Sequence, residues 1–216
     1  MSSTSTAASR TELLAVYEEN NLAGHKAFEA RRYAQAEVRF LDALKAAEAL
    51  VEESRAKEVK AGELAEDDVR RVDLVRLAHT LNNLAALYHL QGKFGFAEET
   101  YERCLDLKLD LYGEEHIETS INLHNLAVLH CAKKRWEKAE LLYKRAIEIR
   151  EKLLGKDDKQ LVPILKNYAI MLRKLVREDE AQALEARALA IEPEVAAKLN
   201  LEDDSAESSA SEKKSC

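Results

Sequence analysis

"LNNLAALYHLQGKFGFAEETYERCLDLKLDLYGEEHIETSIN", residues 81–122, runs directly into "LHNLAVLHCAKKRWEKAELLYKRAIEIREKLLGKDDKQLVPI", residues 123–164. Leu81, Asn83, Leu84 and Ala85 return as Leu123, Asn125, Leu126 and Ala127, and again as Leu165, Asn167, Tyr168 and Ala169, a step of 42 residues each time. A constant period predicts a repeat array, in which each unit buries its apolar face on its neighbours, and not one closed core.

A second anchor group follows about a dozen residues on in each copy: Ala97, Tyr101 and Cys104, then Ala139, Tyr143 and Ala146, then Ala181, Glu185 and Ala188. Apolar residues three and four apart fill both halves of the unit, broken only by "QGK", "KKR" and "VRE", which reads as helix, tight turn, helix. These residues resemble the tetratricopeptide repeat, in the longer 42-residue form found in kinesin light chains. The resemblance spans about residues 20–192 and is most specific over 81–192. It implies an all-α, right-handed α-solenoid of about four helix-turn-helix repeats.

Small residues recur where two helices must approach. Ala85, Ala127 and Ala169 are expected to face Ala97, Ala139 and Ala181 across each pair, and a bulky side chain there would cost roughly 1–3 kcal/mol. Tyr88, Tyr101, Trp136 and Tyr143 then read as core filler, because helical spacing alone predicts their burial.

The rest of the composition agrees. Six Gly and two Pro in 216 residues leave little material for strands and hairpins, so the chain reads as all-helical. A formal charge of −7 argues against general attraction to nucleic-acid phosphates or anionic lipid. The most basic stretch, "CAKKRWEKAELLYKR", puts Lys133, Lys134 and Arg135 on a turn, where they read as solvated. Three cysteines at unrelated spacings, Cys104, Cys131 and Cys216, argue against a disulfide framework and for a reducing compartment. With no signal-like segment and no apolar run long enough to span a bilayer, the expectation is a cytoplasmic protein without a membrane partner.

In chain order, residues 1–10 read as a mobile tail, and Thr11, followed by Glu12, as the cap of the first helix. Residues 11–60 hold a first, divergent repeat, with Gly24 at the first small site and Ala36, Phe40 and Ala43 on a long second helix. The step from Ala36 to Ala97 stretches to 61, so residues 61–122 form a second repeat preceded by an insertion, expected as a break at Gly62 and a new helix from about Glu66. A disordered acidic linker is the alternative. The third repeat is 123–164, with Asp157 and Asp158 before the last unit and Pro163 in a helix's first turn. Residues 165–200 carry the fourth repeat and a capping helix, and 201–216 a polar tail. Glu185 replaces the aromatic of Tyr101 and Tyr143, as a terminal unit with a polar outer face requires.

The family lines its concave groove with first helices. Carried over, the groove residues are Asn21, His25 and Phe28; His79, Asn82, Asn83, Ala86 and His89; His124, Asn125, Val128 and Cys131; and Lys166, Asn167, Ile170 and Arg173. Asn83, Asn125 and Asn167 form a ladder of amides, each offering a donor and an acceptor to an extended peptide backbone, as asparagines at this position do in peptide-binding members. The competing reading is that each bonds a neighbouring helix. Three such contacts at about 0.5–1.5 kcal/mol each fall short of the roughly 8 kcal/mol of micromolar binding, so side-chain pockets must supply the remainder.

The two-carboxylate clamp that grips acidic chaperone C-termini is excluded, because only Asn83 of its residues is present; Asn21, His25, Ile121 and Asn125 stand elsewhere in its pattern. No heptad pattern precedes the array, so a motor-cargo role has only the repeat type behind it. His79, His89, His124 and Cys131 give no i, i+4 pair and no accompanying carboxylate at metalloenzyme spacing, and His116 in "GEEHIE" reads as a local capping contact. No phosphate-cradling loop or nucleophile elbow occurs, and the charged residues read as solvated faces. The expectation is a noncatalytic, monomeric module without cofactor that binds a protein or peptide partner, with His25, His79, His124, Lys166 and Arg173 biasing it toward polar or acidic segments. The alternative is a structural subunit that self-associates or caps an assembly through its convex face.

Overall fold

The computed structural model describes residues 8–61 and 67–193, which carry eight α-helices and no strand. They are α1 (Arg10–Glu29), α2 (Tyr33–Ala61), α3 (Asp67–Leu90), α4 (Phe94–Tyr112), α5 (Ile117–Ala132), α6 (Trp136–Leu154), α7 (Val162–Lys174) and α8 (Glu178–Ile191). The expected break at Gly62, the short helix after Pro193 and most of both tails lie outside the described residues. Contacts divide the chain into two compact units, residues 1–129 and 130–216.

In the first unit α1 begins at Arg10, because Ser9 and not Thr11 caps it. The Ser9 hydroxyl accepts from Glu12 N–H at 3.3 Å, and the Glu12 carboxylate accepts from Ser9 N–H at 2.7 Å. This reciprocal capping box stabilises the helix start by about 0.5–2 kcal/mol. The antiparallel pairs α1/α2 and α3/α4 close on small residues: Ala36, Ala85 and Ala97 have no exposed surface. Gly24 is needed at its crossing, since a Cβ there would stand 2.6 Å from the Phe40 ring. Tyr17, Ala43, Ala47, Leu50, Leu77, Leu81 and Cys104 join α1, α2, α3 and α4 in one core cluster.

The charged residues are not all solvated. Asp73 is fully buried, with its carboxylate held by Arg10 and Arg76 at 2.9 Å each and by the Ser54 hydroxyl, so the extended halves of α2 and α3 are pinned by a polar cluster. Lys108, 2 % exposed, donates from the end of α4 to the Glu118 carbonyl at 3.2 Å and to its carboxylate at 2.9 Å. One period later, in the second unit, buried Arg150 of α6 donates to the Gln160 carbonyl. A buried cation thus ties the end of α4 and the end of α6 each to the segment entering the next first helix.

Each tight turn ends with the same motif. Arg31, Gly92, Lys134 and Val176, at equivalent positions, have φ of 55, 72, 56 and 60°. The N–H of each bonds the carbonyl three residues back, at Phe28, His89, Cys131 and Arg173, and the next N–H reaches five residues back. This satisfies the last carbonyls of the first helix. The fourth turn is therefore Leu175–Arg177, and Glu178 opens α8 instead of belonging to the break.

In the second unit Ala139, Ala169 and Ala181 are again fully buried, and Leu161, Val162, Leu165 and Ala188 pack together. Pro163 lies in the first turn of α7, whose approach is capped by Asp158 accepting from Gln160 N–H at 2.8 Å. Tyr143 stacks on Tyr168 with centroids 5.3 Å apart, and the Tyr168 hydroxyl donates to Glu140 at 2.9 Å. Glu140 also accepts from Arg177 at 2.7 Å and Lys144 at 2.7 Å. Trp136, expected as filler, is only half-buried. Glu185 of α8 is half-buried too and accepts from Arg173 at 2.7 Å, so this departure from the repeat supplies an ion pair as well as a polar face.

Candidate functional site

The groove residues expected from the first helices converge in the first unit. Asn21 and His25 of α1 and His79, Asn82 and Asn83 of α3 line one cavity of about 340 Å³, closed by Lys108, Glu118 and Ile121. A second cavity of about 250 Å³ lies on the other side of His25 and Asn83, against Phe28, Phe40 and Ala86. About two helical turns of each of α1 and α3 present these side chains, because positions one turn apart share a face.

The amides are already engaged. Asn83 Nδ2 lies 3.1 Å from His25 Nε2, and since an amide nitrogen only donates, His25 Nε2 is the acceptor. Asn125 Nδ2 donates to Asn82 Oδ1 at 2.9 Å. Each of these two ladder residues therefore bonds the first helix of the preceding repeat, which fixes its orientation while leaving a second N–H and its carbonyl. Asn21 Oδ1 is buried with no hydrogen-bond donor among the described residues.

The cavity's charges are Lys108 and Glu118. Burial pushes the Glu118 carboxyl up, but the hydrogen bond and charge of Lys108, with His79 and His116 nearby, outweigh it and hold Glu118 below the usual carboxylate range. His116 accepts from Glu118 N–H at 3.1 Å and stacks on Tyr112, the local capping contact its loop position suggests.

The remaining expected residues do not line these cavities. His89 packs on Phe94 with centroids 5.8 Å apart, and burial pushes its pKa down. His124 is half-buried on α5. In the second unit Lys166 is exposed, Asn167 half-buried and Ile170 51 % exposed. Arg173 is committed to Glu178 at 3.3 Å and to Glu185, and Cys131 lies 3.8 Å from the Tyr143 hydroxyl, its thiol pushed up by burial. No group of three or more His, Cys, Asp or Glu side chains able to hold a metal ion occurs among the described residues. No described helix is long and apolar enough to cross a membrane.

Sequence reasoning overlooked Lys108, Glu118 and Phe40 as walls of these cavities. A signal existed for Lys108: a basic residue recurs one period on, at Arg150.

Helix pairs that cross on alanine and glycine, with polar side chains gathered in a concavity of their first helices, define a repeat protein of the interaction or scaffold class. The tetratricopeptide repeat family model matches residues 76–152 and 122–194, and the chain belongs to that family. Among solved structures it is similar to BtubC (BKLC) from P. vanneervenii, at 21 % identity over 84 % of this chain and 74 % of that one, with a TM-score of 0.53. It is also similar to a putative kinesin light chain from Podosopora anserina with nearly identical TPR-like repeats, at 15 % identity over 88 % of this chain and 99 % of that one, TM-score 0.54. At these identities the likeness is one of fold. No curated protein matches the sequence.

Proposed function

We propose that the protein is a noncatalytic adaptor that holds an extended or short helical segment of a partner protein against its first helices. The observation carrying this reading is the convergence of Asn21, His25, His79, Asn82 and Asn83 on one cavity. Asn83 and Asn125, oriented by their bonds to His25 and Asn82, would each offer the remaining N–H and the carbonyl to a peptide backbone, and Asn167 the equivalent position in the second unit. Preorganised amides lose less freedom on binding than mobile ones. Of the residues expected to favour polar or acidic segments, Arg173 is neutralised by its own glutamates, so that bias falls to His25, His79, His124 and Lys166.

The test is a pull-down comparing wild type with the Asn83→Ala, Asn125→Ala, Asn167→Ala triple variant. A prey bound by wild type should be lost from the variant at unchanged helicity. Retention of every prey would show that these amides are not the working surface.

A further inference from the structure

The 340 Å³ cavity has balanced charge but unbalanced hydrogen bonding. Its single cation, Lys108, is 2 % exposed and sits 2.9 Å from its single anion, Glu118, so the two offset each other. Two acceptors remain on the wall: Asn83 Oδ1, whose amide nitrogen is turned to His25, and the Glu118 carboxylate, whose bond to Lys108 uses only Oε2; Asn21, which also lines the cavity, has its Oδ1 buried with no donor among the described residues. Donors come from Asn82, whose oxygen is occupied by Asn125, and from the exposed His79 ring. Just beyond the His25–Asn83 pair, Phe28, Phe40 and Ala86 offer an apolar space of about 250 Å³.

We infer that these two cavities receive neighbouring side chains of the bound segment, a carboxamide (Asn or Gln) among Asn21, His79, Asn82 and Glu118 and an aliphatic side chain against Phe28, Phe40 and Ala86. This rests on the groove-binding reading and specifies it. A carboxamide carries both a donor for the unpaired oxygens and an acceptor for the Asn82 and His79 N–H groups. A carboxylate has no donor and would face Glu118, which Lys108 keeps ionised. A ligand ammonium or guanidinium would meet Glu118 but lie beside the buried Lys108 charge, where like-charge proximity is unfavourable.

The experiment uses immobilised positional-scanning octapeptides, acetylated and amidated at their ends, probed with the full-length labelled chain. Wild type should retain Asn or Gln peptides about tenfold better than their Asp or Glu isosteres, the discrimination expected of a site with unpaired buried polar groups. His79→Arg, at an exposed position, should bring Asp and Glu peptides to parity or above. Ala86→Phe should abolish the aliphatic preference at the neighbouring position while keeping Asn and Gln, with helicity unchanged in both variants. A wild-type preference for Asp or Glu, or no discrimination, overturns the inference and leaves the groove reading intact. Peptide retention that survives the triple asparagine substitution overturns the groove reading itself, and retention of no peptide by wild type overturns both.

Discussion

Asn83 of α3 donates to His25 of α1 across 3.1 Å, joining the first helices of two successive repeats on the surface expected to bind a partner. The pair is solvent-accessible, so its net contribution is small, about 0.5–1 kcal/mol. A double-mutant cycle of Asn83→Ala and His25→Ala in urea should give a coupling of that size. Strict additivity would show that the bond does not persist in solution.

Gly24→Ala should destabilise the first unit by about 1–3 kcal/mol, because the added methyl meets the Phe40 ring at 2.6 Å. Phe40→Leu in the same chain frees that space, so the double variant should be more stable than the sum of the single losses predicts. Denaturant unfolding of the four proteins measures this directly.

Val176→Gly should stabilise the protein. Val176 is β-branched, 88 % exposed and held at φ 60°, so it contributes backbone strain and little packing. Relief of about 1–2 kcal/mol of strain, less the entropy a glycine adds to the unfolded chain, leaves a gain of about 0.5–1 kcal/mol. A melting temperature that falls would mean that the turn is not strained.

Glu140 should contribute to acid sensitivity. The hydrogen bond from Arg177, with those from Lys144 and Tyr168, holds its carboxyl at about 2, well below the usual carboxylate range, against the opposing effect of burial. The unfolded chain therefore binds this proton more readily than the folded one. The stabilisation is present above the ordinary carboxylate pKa of about 4 and is lost as pH falls from there toward about 2. The stability difference between wild type and Glu140→Gln should accordingly be larger at pH 7 than near pH 2.5, as read by urea midpoints at both.

The repeat interval determined the fold from the sequence alone. Ala85, Ala97, Ala127, Ala139, Ala169 and Ala181 recur because two helices can cross closely only where side chains are small, a local requirement that survives in the spelling of every copy. Part of the site was equally legible: Asn21, His25, His79, Asn82 and Asn83 share a cavity because they occupy one face of paired first helices. The tertiary structure alone decided which polar groups are used inside the protein. Asp73, Lys108 and Arg150 look like any solvated charge in an amphipathic helix, yet each is buried, because its partner comes from another part of the chain. The same holds for His25 and Asn83, 58 residues apart. Burial and pairing depend on what folding brings alongside a residue, and helical periodicity records only which side of its own helix that residue occupies.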